Sequence, residues 1–307
     1  MKNVIFAQPF SVSAKTADEA NGKVIVVDLA FNGGRLPKGL LPNTQEAAQE
    51  LHKQFLETTG ALISALGERL VAWIDHHPHA EWSNYKGRPN FYLFSREEAP
   101  SCPSIISPSL LGEIGEFDTI IAHGDFDGIM SAVICELGGR LPYPSAVKDA
   151  VAADTRVGRM SKRGILLEAA MKASLTDDSM RLAIFQQLVS AERIRAAAKA
   201  YEAKEAVTRQ ISLKFKNTDD IAIVNAMDES RDFDLTQVLL NGQNQAKVAI
   251  VLHKSTHDAT SLLTVAGPAS YNFPNLLGLG GGAPFRATVN ADRLSEVLLL
   301  IKGKMIK

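Results

Sequence analysis

The first half of the chain alternates short, strongly apolar runs with stretches of helical periodicity, the pattern of a mostly parallel sheet with helices on both faces. The predicted strands are 23–28 (KVIVVD), 70–75 (LVAWID), 117–123 (FDTIIAH) and 146–154 (AVKDAVAAD), and each ends in an acidic residue or a histidine. Those endings matter because ligands of open α/β sheets bind beyond the carboxyl ends of the strands. Residues 44–66 carry apolar positions at helical spacing and fill the crossover between the first two strands. A helix over 128–137 starts directly after an acidic loop, and the Pro- and Ser-rich stretch 99–109 is expected as a long connection.

From 165 to about 215 the chain is rich in Ala, Leu, Glu and Lys with almost no breakers, which predicts one or two long helices. After Thr218 the texture changes: IAIVNAM, KVAIVLH and SLLTVAG read as strands, with helices at 234–241 and 292–302. The expected organisation is an α/β domain over 1–164, a helical linker over 165–217 and a smaller α/β domain over 218–307.

A length of 307 residues supports this division, since single cores stop growing near about 250–300 residues. No apolar run reaches about 18 residues and no basic-then-apolar leader opens the chain, so a soluble, unexported protein with no membrane segment is expected. Cys102 and Cys135 form no CxxC pair, which argues against a disulfide framework or structural zinc and for a reducing cytoplasm. A net charge of −1 argues against a broadly basic surface for long nucleic acid, though not against a local basic groove. Arg156, Arg159, Lys162 and Arg163 gather locally, a run that reads as a solvated face. No GxGxxG follows the first strand, so an ordinary dinucleotide-binding domain ranks last.

Candidate chemistry gathers at the strand ends. Asp75, His76, His77, Pro78 and His79 follow one strand, and His123, Gly124, Asp125, Phe126, Asp127 and Gly128 follow another and open a helix. A helix cap accounts for one aspartate of the second loop, not for the histidine and both aspartates. Asp28 and Asp154 end two further runs, where each taken alone reads as a turn or helix cap. A parallel sheet brings its carboxyl edges to one rim, and carboxylates gathered there repel one another unless cations are bound. Mixed carboxylate and imidazole donors suit manganese, with magnesium or cobalt as alternatives. The donors suffice for two ions about 3.5–4 Å apart, the spacing that clamps both oxygens in phosphoryl displacement.

DHHPH at Asp75, HGDFDG at His123, Asp28 with Arg35 following, and AADT at Asp154 together resemble the DHH phosphoesterases, closest to the RecJ-like form. The second half is similar to the DHHA1 substrate domain that accompanies them. The resemblance implies two divalent metal ions, manganese preferred, held by Asp28, His76, His123, Asp125, Asp127 and Asp154, with Asp28 bridging. It implies that Asp75 orients its neighbours and that His77 faces the scissile phosphate. His79 is open to two readings, a further ligand or a loop residue. The HxDxD-type motif stands after DHH rather than first, which a circular permutation explains. LGLGGGAPFRATV, 277–289, resembles the family's GGGH loop with Ala283 in place of histidine; Gly280, Gly281, Gly282 and Arg286 are the candidate substrate-binding residues. The implied activity is hydrolysis of a phosphoester in a nucleotide or short oligonucleotide. The alternatives are a phosphoanhydride hydrolase and a non-catalytic nucleotide- or nucleic-acid-binding relative. Nothing in the sequence sets the oligomeric state.

Overall fold

Five apolar segments pair in parallel: β1 (Asn3–Ala7), β2 (Val24–Val27), β3 (Leu70–Asp75), β4 (Phe91–Leu93) and β5 (Thr119–His123), in the spatial order β1-β5-β2-β3-β4. The structure is a computed structural model that describes residues 2–31, 44–173, 178–186, 202–229, 233–255, 259–279 and 282–305. It divides into two units, Met1–Ala150 with Ser174–Ala191, and Val151–Ala173 with Glu192–Lys307.

In the first unit, side chains alternate across the sheet. Val24, Val26, Trp73 and Ile121 pack on α1 (Ala14–Asp18), α2 (Gln45–Glu57) and α3 (Thr59–Leu66) through Ala17, Phe55, Leu62 and Leu66. The helical spacing over 44–66 is realised as two helices, because Thr58 leaves helical geometry and its hydroxyl donates to the Gln54 carbonyl at 2.6 Å. Past the short α4 (Pro108–Ile114), α5 (Phe126–Glu136) packs on β5 and β2. It is buried from Phe126 to Cys135, as a helix apolar all round must be. Ile25, Ile74, Ile120 and Ala122, whose side chains alternate with the first set, are equally buried. The chain therefore leaves β2 toward one face and β5 toward the other. A reversal of this kind between adjacent strands opens a crevice at their carboxyl ends.

One predicted strand is overturned. Residues 146–154 form most of α6 (Ala146–Thr155), because apolar residues at 146, 147, 150 and 151 follow a helical stripe and alanine favours the helix. The division between the units falls within α6. Of the helices inside 165–217, α7 (Lys162–Ala173) belongs to the second unit and α8 (Asp178–Phe185) to the first, where it packs on α5; α9 (Glu202–Ser212) belongs to the second.

The second unit has a mixed sheet of β6 (Lys216–Thr218), β7 (Ile221–Asn225), β8 (Val248–Lys254), β9 (Ser261–Ala266) and β10 (Arg286–Asn290), ordered β10-β9-β8-β7-β6 with only β7 and β8 parallel. Ile211 of α9 and Val238 and Leu239 of α10 (Leu235–Gln243) cover one face. Past the short α11 (Phe273–Leu276), α12 (Leu294–Met305) covers the other through Val297 and Ile301. The fold is thus α/β, a parallel sheet flanked by helices with a second, smaller sheet. Among the described residues no helix is long and apolar enough to cross a membrane.

Candidate metal centre

Strand register lines up the site. Val27 lies opposite Ile74 on one side and Ala122 on the other, so the next residues, Asp28, Asp75 and His123, form one row at the carboxyl edge of three adjacent strands. Asp28 has a left-handed backbone, φ +56°, while its N–H still donates to the Ile74 carbonyl at 2.9 Å. Aspartate tolerates this region better than most residues, and such strain collects at functional sites. The carboxylate comes to rest with Oδ1 3.1 Å from His76 Nε2 and 4.0 Å from His77 Nδ1, and with Oδ2 3.8 Å from His123 Nδ1.

Each neighbour is fixed by a local contact. His76 Nδ1–H donates to the Ala99 carbonyl at 3.1 Å, which turns Nε2 toward Asp28 and toward Asp127 Oδ2, 3.4 Å away. Asp125 caps α5, its Oδ1 accepting the Gly128 N–H at 3.2 Å, and its Oδ2 lies 2.9 Å from His123 Nδ1. The cap therefore occupies one oxygen and leaves the other for the site. A Cβ at Gly128 would fall 2.3 Å from the His123 carbonyl oxygen, so only glycine lets α5 begin so close to β5. His77 Nδ1 lies 2.8 Å from Asp75 Oδ1, and this pairing outweighs its longer approach to Asp28. Cys102, fully buried, donates Sγ–H to the Ile74 carbonyl at 3.4 Å.

The electrostatics express crowded charge. Burial, then repulsion from Asp127 and Asp125, holds the Asp28 carboxyl well above the ordinary value. Burial opposes protonation of His76, but hydrogen bonds to Asp127 and Asp28 outweigh it and push the imidazole up to about 11. His123 is likewise raised: burial works against the cation and Asp125 overcomes it. Burial also works against ionised Asp75 and Asp125, yet His77 and His123 respectively hold them below the ordinary range. Without cations, such a cluster is balanced only by retained protons.

The donor set fits divalent cations. Both Asp28 oxygens and His123 Nδ1 are sealed from solvent and face the other side chains of the cluster. Asp28, His76 and His77 offer donor atoms within 4.8 Å of one another, and so do Asp28, His123 and Asp125. Asp28 is common to both groups. Carboxylate and imidazole donors with no thiolate among them suit manganese, magnesium or cobalt.

The remaining predicted positions have local contacts of their own. Asp154 stands in the last turn of α6, a helix end rather than a strand end, and its carbonyl accepts Arg286 Nη1–H at 2.8 Å within the second unit. His79 is in neither group above: its Nδ1 accepts the Glu81 N–H at 3.2 Å and its ring stacks on Phe55, the contacts of a loop residue. Gly282 has φ +132°, which glycine adopts freely, and Pro274 Cγ lies 3.1 Å from where a Cβ would sit. Arg35, Gly280 and Gly281 lie outside the described residues. Arg156, expected on a solvated face, has φ +59° and a buried Nε with no hydrogen-bond partner among the described residues. Sequence reasoning missed Gln8, whose Oε1 lies 3.0 Å from His123 Nε2, and the Ala99 carbonyl; neither belongs to a motif.

No family model matches the sequence, and no curated protein sequence matches it. Among solved structures, the chain is similar to a pGpG-specific phosphodiesterase from Vibrio cholerae, with 12% identity and a TM-score of 0.43 over 75% of this chain and 78% of that one. It is also similar to an exopolyphosphatase-related protein from Bacteroides fragilis, with 11% identity and a TM-score of 0.39 over 99% of this chain and 91% of that one.

Proposed function

We propose that the chain is a metal-dependent phosphohydrolase that cleaves a phosphoester in a nucleotide or short oligonucleotide, with two divalent cations, manganese preferred. The observation that carries this reading is the sharing of the buried Asp28 carboxylate between two three-donor groups. A carboxylate common to two ion sites is what a metal pair needs, and two metals suit in-line displacement at phosphorus.

In this reading Asp28 would be shared by the two ions, His76 with Asp127, whose Oδ2 lies 3.4 Å from its Nε2, would hold one and His123 with Asp125 the other, and Asp154 is added by its sequence motif. When bound, such cations would neutralise the phosphate and supply a nucleophile at neutral pH. The chain's own residues do the rest. Asp75 accepts the Nδ1–H of His77 and fixes the ring, so that Nε2–H can be given to the leaving oxygen as the P–O bond breaks. Gly280, Gly281, Gly282 and Arg286 are proposed for substrate binding, Arg286 as the cation of an anion site.

A manganese-supplemented screen over dinucleotides, phosphoadenosine phosphate, cyclic dinucleotides, single-stranded DNA and pyrophosphate tests the proposal. Turnover of a phosphoester, lost in Asp28→Ala, is the expected result. Turnover of pyrophosphate alone makes the chain a phosphoanhydride hydrolase. Nucleotide binding without turnover of any compound makes it a non-catalytic relative.

A further inference from the structure

We infer that Gln8 is a positioning residue for the metal centre: its side-chain carbonyl selects the tautomer of His123 that turns a lone pair on Nδ1 toward the bound cation. The inference rests on the two-ion reading and adds a residue that no motif supplies.

Register puts Gln8 in place. Ala7, the last residue of β1, lies opposite His123 at the end of β5, so Gln8 is the first residue past the strand on the imidazole's own edge. A turn follows at once: the Ser11 N–H donates to the Gln8 carbonyl at 2.9 Å, and Pro9 occupies the position where a proline φ suits a turn. Gln8 is thereby held at the rim with Oε1 3.0 Å from His123 Nε2.

The tautomer follows from hydrogen-bonding capacity. An amide oxygen only accepts, so Nε2 must carry the hydrogen and, in the neutral ring, Nδ1 keeps its lone pair. Nδ1 is the atom that faces Asp125 Oδ2 at 2.9 Å and Asp28 Oδ2 at 3.8 Å. Those carboxylates pull in the opposite sense, because either of them favours a hydrogen on Nδ1, and that hydrogen blocks a cation. Gln8 is the acceptor on the far side of the ring that offsets them. His76 has the same arrangement with its nitrogens exchanged: Nδ1–H donates to the Ala99 carbonyl and Nε2 faces the site. There the acceptor is main chain, which no substitution removes; at His123 it is a side chain. The loop backbone has its own anchor, since Arg181 Nε–H donates to the Gly124 carbonyl at 2.8 Å, so the Gln8 contact is left to act on the imidazole.

The test compares wild type, Gln8→Leu and Gln8→Glu by nitrogen-15 NMR of the imidazoles in metal-free protein at alkaline pH, and by calorimetric titration with manganese. In wild type and Gln8→Glu, His123 is expected as the Nε2–H tautomer; in Gln8→Leu the hydrogen moves to Nδ1. Manganese affinity falls about 10- to 100-fold in Gln8→Leu, the usual cost of losing a residue that orients a metal-binding histidine, and stays at or above the wild-type value in Gln8→Glu. The inference is overturned if Gln8→Leu keeps the wild-type tautomer, or if it binds manganese as tightly as wild type. Should Gln8→Leu fail to fold by circular dichroism, Gln8→Glu decides, because loss of the Nε2–H tautomer there overturns it too. Wild-type protein that binds no divalent cation contradicts the proposed function, while the tautomer comparison still decides what Gln8 does.

Discussion

Asp28 Oδ1 lies 3.1 Å from His76 Nε2, with both side chains wholly buried. A buried carboxylate with two further aspartates nearby is costly to ionise. The arrangement makes sense as a binding site that is poorly balanced while empty.

Asp28→Asn separates binding from folding. The raised Asp28 carboxyl is favourable below the ordinary aspartate value, and this contribution is lost as pH rises above it. At neutral pH in chelator, Asn removes the charge while tolerating the left-handed backbone. Urea unfolding is therefore expected to show the metal-free variant more stable than wild type by about 1–2 kcal/mol. Manganese should stabilise wild type and not the variant. A variant less stable than wild type in chelator contradicts the crowded-charge account.

His77→Gln removes the proposed proton donor and is expected to lower kcat by about 10²–10⁴-fold with manganese affinity retained. Asp75→Asn disturbs the same imidazole, so the double variant should be little worse than the poorer single one. Steady-state kinetics alongside manganese titration check this. Additive losses, or loss of manganese in His77→Gln, place His77 among the ligands instead.

Gly128→Ala is expected to destabilise by about 2–4 kcal/mol, since its methyl would sit 2.3 Å from the His123 carbonyl oxygen and backbone must move. Denaturant unfolding reads the loss, and manganese binding should weaken with it because His123 and Asp125 flank the displaced turn.

Lys172 stabilises the second unit through Asp234 Oδ2 at 2.6 Å and Glu168 Oε1 at 2.8 Å. Burial opposes its charge, but the two carboxylates outweigh burial and hold the ammonium above its ordinary 10.5. The contribution is complete below that value and is lost as pH rises beyond it. Lys172→Met is expected to cost about 1–3 kcal/mol at pH 7, because the two largely buried carboxylates lose their partner. The gap to wild type should narrow above pH 10.5. A gap independent of pH would assign the effect to packing.

The positions of Asp28, Asp75 and His123 are legible in sequence because each follows a run of buried residues that can only be an inner strand. The HGDFDG loop is legible as well, since alternating donors before a helix exceed what a cap requires. The element that carries Asp154 is misread by the same logic: AVAAD resembles a strand in apolar content, and the helical stripe becomes visible only when Ala146 and Val147 are read with it. β1 escapes notice because none of its residues is fully buried, and β4 because it is only three residues long. Gln8 has no local signal at all, since its importance comes from the pairing of β1 with β5, strands separated by most of the first unit.

The most direct measurement is manganese stoichiometry, by elemental analysis and calorimetry on the full chain. The two-ion account predicts two manganese ions per chain in wild type and loss of both high-affinity sites in Asp28→Ala, because that carboxylate serves each. A chain that binds no manganese, or an Asp28→Ala variant that still binds two ions with wild-type affinity, contradicts it.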